Sequence, residues 1–179
     1  MIAKIFIGLA IALVLFLVVA AFQSPDFRVS RSIAIAAPPA AIFSYVNDFH
    51  QWPSWSPWEK LDPAMKRTFD GPNAGNGAAF GWTGNSKVGE GRATIVESHP
   101  NELIRVRLDF IKPFASTCMA EYTFQPEGGQ TKVVWSMTGS KNLITKAMCL
   151  VVSMDKMMGG DFEKGLADLK RVSETAARK

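Results

Sequence analysis

The hydrophobic pattern of the chain falls into three regimes. From Ile5 to Phe22 every position is apolar or glycine. As a helix rising about 1.5 Å per residue this run reaches about 27 Å, close to the hydrocarbon thickness of a bilayer, and it predicts one membrane-crossing helix. After the breaker Gln23-Ser24-Pro25-Asp26, Phe27, Val29, Ile33 and Ile35 alternate with polar or small residues, interrupted only by Arg31, which predicts a half-buried strand. Pro38-Pro39 ends that strand and opens a short helix over Ala40 to Val46, because proline is tolerated in a first helical turn. From Met65 to about Gly139 strand-like segments alternate with Gly, Asn and Pro turns. They cover Met65–Asp70, Ala78–Thr83, Gly91–Ser98, Glu102–Phe110, Ser116–Gln125 and Gln130–Thr138, and predict an antiparallel meander. In the last regime Met154, Met158, Phe162, Leu166 and Leu169 recur at spacings of four and three, an apolar stripe on one long helix from Leu143 to about Ala177. Gly159-Gly160 inside it marks a bend or a close approach to the sheet.

Length and composition sharpen this picture. The 179 residues fit one domain of ordinary size with an appendage: an anchor and linker over residues 1–26 and a single domain over 27–179. The hydrophobic share of 47% is concentrated in the N-terminal run. A cleaved signal peptide is the alternative, with Lys4 as its charged start and Val19 and Ala21 before a cleavage point at Phe22; the apolar run is longer than most signal cores, which favours a retained anchor. Either way the domain is expected outside the cytoplasm, although Lys4 on one side and Arg28 and Arg31 on the other leave the charge asymmetry weak. The net charge of +4 does not indicate nucleic acid, because basic and acidic residues alternate along most of the domain and only the C-terminal end, with Arg178 and Lys179, is locally basic. Cys118 and Cys149 have no CxxC spacing and His50 and His99 are too few for a zinc site; a disulfide or two buried free thiols remain open. The Gly71 to Gly77 loop lacks phosphate-binding spacing. No cofactor or metal is expected.

The order strand, short helix, six strands, long helix, with particular residues on it, resembles the START-like superfamily of Bet v 1-type helix-grip proteins, and especially its bacterial polyketide cyclase/dehydrase-like (SRPBCC) branch. The residues that carry the resemblance are Ile33-Ala34-Ile35-Ala36-Ala37-Pro38 leading into Ile42-Phe43 and Val46, Trp52-Pro53-Ser54-Trp55-Ser56-Pro57-Trp58, Gly89-Glu90-Gly91, Gln130 to Trp135, and Gly165 to Lys170. The resemblance implies an α+β helix-grip fold: a curved antiparallel sheet of about seven strands wrapped around a long C-terminal helix, here preceded by one transmembrane helix. That superfamily includes lipid carriers, hormone receptors and aromatase/cyclases.

In such a fold the ligand space lies between sheet and helix. Alternation then nominates its lining: Ile104, Val106, Leu108 and Phe110 on one strand, Cys118, Ala120, Tyr122 and Phe124 on the next, and Val133, Trp135 and Met137 on the last, closed by Met154, Met157, Met158 and Phe162. Trp52 and Trp55 join them as an aromatic wall or lid, their spacing with Trp58 placing three rings along one side of a tight turn; plugging one end of the sheet is the other role open to them. No Ser-His-Asp, Cys-His or paired-carboxylate arrangement can be recognised, and Glu90, Arg92, Glu121 and Tyr122 are the polar sheet residues whose orientation matters. Three functions follow as expectations. The first is tethered binding or transfer of a small apolar molecule, lipid-like or aromatic, by a domain held to the lipid bilayer through Ile5–Phe22. The second is a cyclase or dehydratase. The third is an interaction module that presents exposed rings of Trp52–Trp58 to a partner or membrane.

Overall fold

The computed structural model describes residues 2–178. An apolar helix α1 (Ile2–Ala21) leads through four residues into β1 (Asp26–Ile35), followed by α2 (Pro39–Asn47), two 3-10 turns (Phe49–Ser54 and Pro57–Lys60), β2 (Lys66–Asp70), β3 (Ala79–Thr83), β4 (Glu90–His99), β5 (Leu103–Lys112), β6 (Ser116–Glu127) and β7 (Gln130–Ser140). Two helices close the chain, α3 (Leu143–Cys149) and α4 (Met154–Ala177). The expected single C-terminal helix is thus two. Asn142 caps α3 by accepting from Thr145 N at 2.8 Å, and Ser153 caps α4 by accepting from Lys156 N at 3.3 Å, so a second start signal interrupts the helix that the apolar stripe alone suggested.

All seven strands form one antiparallel sheet in the order β1-β7-β6-β5-β4-β3-β2. This is the α+β helix-grip architecture, with β2 to β7 a meander and β1 returning beside β7. Two register shifts between β4 and β5 curve the sheet: Glu90 pairs with Lys112 while Gly91 pairs with Phe110, and Ile95 pairs with Val106 while Glu97 pairs with Arg105. The skipped residues, Ile111 and Val96, are turned out and exposed.

The concave face carries the core, which includes Ile95, Ile104, Val106, Tyr122, Phe124, Val133, Trp135 and Met137. Helix α4 lies across it, burying Phe162, Leu166 and Leu169. Fully burying three such side chains is worth up to roughly 5–9 kcal/mol before cavity and denatured-state corrections. Its ion pairs are solvent-screened and set the position along the sheet more than the strength. They run from Asp155 and Glu163 to Arg31 of β1, both at 2.7 Å, and from Asp168 to Lys60 at 2.7 Å, while Glu174 accepts from Ala36 N at 2.9 Å. Gly159 is explained by close approach: a Cβ there would overlap the Arg31 guanidinium.

Helix α1 packs along α3, its last carbonyl region receiving a hydrogen bond from Lys146 Nζ to Ala21 O at 3.1 Å. Over Lys4–Ala21 it has a mean hydropathy of 2.8 and almost all of it is exposed, so it is long and apolar enough to cross a membrane and is not a buried core helix; a signal sequence has the same character. Cys118 and Cys149 are both free, Cys118 buried and Cys149 half-buried.

Candidate functional site

A cavity of about 220 Å³ lies between the sheet and the start of α4. Its floor is Tyr122 of β6 and Trp135 and Met137 of β7, all 1% exposed, with Ala93 of β4 and Leu108 of β5 beside them. One wall is the 3-10 segment with Trp52, Ser56, Trp58 and Glu59; the other is Met65 with Phe80 and Trp82 of β3 and Phe110 of β5. The lining residues that reach solvent are Lys87 and Val88 of the β3–β4 turn, Trp58, Trp82, Phe110, Met158 and Asp161, which places the mouth between that turn and the first turns of α4.

The aromatic residues pack as a continuous set. Trp135 stacks on Phe162 at 4.1 Å and on Tyr122 at 5.2 Å, Trp55 meets Trp135 edge-on at 5.9 Å, and Trp58 meets it at 5.6 Å. Across the space Phe80 stacks with Trp82 at 6.0 Å and Trp82 meets Phe110 at 5.8 Å. Such walls offer large apolar area with little rotamer entropy to lose.

Three indoles donate to backbone carbonyls: Trp52 to Val46 O, Trp55 to Tyr45 O and Trp82 to Val88 O, each at 3.0 Å. Trp135 Nε1 differs, for it is buried and has no hydrogen-bond partner among the described residues. Burial also pushes the Tyr122 phenol well above its usual pKa, so the hydroxyl stays protonated and able to donate. The Trp135 N–H has essentially no accessible surface, so the donor this floor offers a guest is the Tyr122 hydroxyl. Glu59, also in the lining, is already engaged by Arg67 Nε at 2.9 Å.

Of the residues nominated from alternation, Trp52, Leu108, Phe110, Tyr122, Trp135, Met137 and Met158 line the cavity. Trp55, Ile104, Val106, Phe124 and Phe162 are buried in the packed core and do not border it, and Met154 is half-buried against that core. Met65, Phe80, Trp82, Val88 and Ala93 also line the cavity and lie outside the residues nominated from the sequence, although Phe80 and Trp82 alternate about Gly81 and so share a face. Of the polar sheet residues, Glu121 pairs with Arg105 at 2.8 Å, Arg92 with Asp70 at 2.8 Å and Glu90 with Lys112 at 2.7 Å on the outer side, leaving Tyr122 as the inward one. His50 and His99 are exposed beside Asp48 and Glu97, each at 2.8 Å. The expectation of exposed tryptophan rings is overturned, because Trp52 is 6% and Trp55 0% exposed and the half-buried Trp58 packs on Trp135 and Phe162. A wider depression at the other edge of the sheet, lined by Phe27, Thr117, Met119 and Gly139 among others, is open and lacks the enclosure of a ligand site.

Solved structures with the same fold are distant in sequence. A protein of Nitrosospira multiformis is 23% identical, with 86% of this chain and 100% of that one covered and a TM-score of 0.60. Ara h 8.0201, a Bet v 1-like protein, is 14% identical over 85% of this chain and 97% of its own, with a TM-score of 0.55. DynU16, from the dynemicin biosynthetic locus, is 13% identical over 87% of this chain and 49% of its own, with a TM-score of 0.58. These likenesses establish the fold. No curated protein matches the chain significantly. The family model described as polyketide cyclase / dehydrase and lipid transport, however, matches residues 26–174, which span the whole sheet and nearly all of α4, and the chain therefore belongs to that family.

Proposed function

We propose that this protein holds, beside a membrane, a small apolar molecule that carries a hydrogen-bond acceptor, with α1 as the tether. The observation that carries the reading is the aromatic-walled cavity with Tyr122, its hydroxyl kept protonated, in the floor. At about 220 Å³ the space is smaller than most drug-sized pockets, so it suits a compact ring system or the end of one acyl chain, with the remainder of the molecule at the mouth. Removing such a guest from water is favourable by roughly 0.8 kcal/mol per CH₂ group, which makes binding of lipid-like molecules energetically accessible without a cofactor.

Native mass spectrometry of the full chain released from detergent micelles tests the reading. The expected result is a retained or acquired apolar adduct, lost when Ala93→Leu fills the cavity while circular dichroism shows the fold intact. A chain that takes up neither a fluorescent fatty acid nor a fluorescent polycyclic aromatic would overturn it. The cyclase or dehydratase reading is supported by the family description and by the placement of Ser56 and Tyr122 on one lining. It requires two polar groups to act on one substrate atom. Turnover of an aromatic polyketide by the wild type, abolished in Tyr122→Phe, would favour it.

A further inference from the structure

The end of the sheet from which α1 departs is unusually apolar. The β3–β4 turn, the β5–β6 hairpin and the β7–β1 edge all lie at this end, because Thr83 pairs with Glu90, Phe110 with Ser116 and Asp26 with Ser140. Here Ile111 and Phe114 of the hairpin are 52% and 58% exposed, Ile144 and Met148 of α3 are 56% and 48% exposed, and Val151 and Val152 after α3 are 79% and 41% exposed. Leu143 of α3 is 49% exposed and belongs to the same cluster, and elsewhere on the domain the exposed large apolar side chains among the described residues are the scattered Leu61, Phe69, Val96 and Met157. A cluster confined to one end marks an interaction surface rather than ordinary surface composition.

The position of α1 identifies what covers it. Helix α3 packs beside the C-terminal part of α1, where Ala20 is fully buried and Phe16 and Leu17 are less exposed than the rest of the helix. If Lys4–Ala21 spans a bilayer, α3 lies at the level of its last turns, within the interface and not above it. Lys146 carries its ammonium back to Ala21 O, the behaviour of a lysine whose stem lies along apolar surroundings. Around the same end, Lys87, Lys141 and Lys156 form no ion pair among the described residues, and juxtamembrane lysines of this kind are drawn to anionic headgroups.

We infer that α3, the Leu150–Ser153 loop and the β5–β6 hairpin tip dip into the headgroup and upper acyl region of the bilayer that holds α1, so that the cavity mouth, formed by Lys87, Val88, Phe110, Met158 and Asp161 at this same end, opens onto lipid. The inference rests on the tethered reading. It adds that the guest enters from the acyl region without crossing water, and that the docking surface is lipid and not a protein.

Site-directed spin labelling of the full chain in phosphatidylcholine vesicles, with and without phosphatidylglycerol, tests it. Labels are placed singly at Ile144→Cys and Phe114→Cys in a Cys149→Ser background, with Leu13→Cys as the hydrocarbon reference and Asn73→Cys, at the opposite end of the sheet, as the aqueous reference. The labels at 144 and 114 should collide with oxygen in strong preference to a water-soluble nickel complex, approaching the ratio at 13 and far from that at 73. If the label at 13 reads hydrocarbon and those at 144 and 114 match 73, this docking is overturned while the tether stands. If the label at 13 is itself aqueous, the tethered reading falls and the docking with it.

Discussion

Two glycines on α4 receive the same substitution with opposite expected outcomes. Gly160 faces solvent, and a Cβ added there meets nothing within 4 Å. Gly160→Ala should therefore gain the full helix-propensity difference, about 0.8–1 kcal/mol. Gly165 is buried, and its Cβ would lie 2.8 Å from Trp135 Cζ3 and 3.0 Å from Pro57 Cδ. Neither neighbour is the free end of a flexible chain: the indole is stacked between Phe162 and Tyr122, and Pro57 starts a 3-10 turn. Overpacking of this kind costs roughly 1–3 kcal/mol, so Gly165→Ala should be destabilising by up to about 2 kcal/mol after the propensity gain. In the difference between the two variants the propensity gain cancels, leaving roughly 1–3 kcal/mol as the cost of crowding Trp135. For a domain of this size that is at least about 2 °C between their melting temperatures. The assay is thermal unfolding of the full chain in detergent, followed by near-UV circular dichroism, which reports the tryptophan cluster. Because Trp135 also lines the cavity, Gly165→Ala should weaken binding of an apolar probe that Gly160→Ala leaves unchanged. Equal stabilisation by both substitutions would refute the claim that the helix is held against the cavity floor at Gly165.

Tyr122→Phe keeps the ring and removes one donor worth roughly 0.5–1.5 kcal/mol, so titration should show an acceptor-bearing apolar probe binding about 2–12-fold more weakly and a pure hydrocarbon probe unchanged. Asp155, Asp168 and Glu174 are held below the ordinary carboxylate range, by Arg31, Lys60 and the Ala36 N–H respectively. Depressed carboxyls contribute stability that is complete above their unfolded pKa and lost as pH falls through the folded value, so urea midpoints should drop below about pH 4, and the Asp155→Asn, Asp168→Asn, Glu174→Gln combination should flatten that acid limb. Thr131→Val removes the buried hydroxyl that donates to Ala37 O at 2.7 Å and leaves that carbonyl unpaired; urea unfolding should register a loss of roughly 1–3 kcal/mol.

How much of the site can be read from the chain depends on the difference between a face and a depth. Alternation along β5 assigns Ile104, Val106, Leu108 and Phe110 to the inner face, and all four are there, since the period of a strand leaves only two choices. It does not say which of them α4 covers. The helix crosses the sheet from the anchor end, where Asp155 meets Arg31, to the far end, where Glu174 meets Ala36. One part of the inner face is therefore filled by Leu166, Leu169 and α2, and the cavity survives where Met158 and Asp161 stand at the mouth. Leu108 and Phe110 thus line a space while Ile104 and Val106, on the same face of the same strand, are solid core. The break between α3 and α4 was missed for a related reason. Apolar spacing continues through Leu150–Val152, and the break is written instead in the second of the two polar caps, Asn142 and Ser153, whose hydrogen bond from Lys156 N starts a new helix. Those caps have a functional consequence, because a single continuous helix would have no separate α3 to lie beside α1, and the apolar side chains now gathered near the cavity mouth would have been carried along one rod.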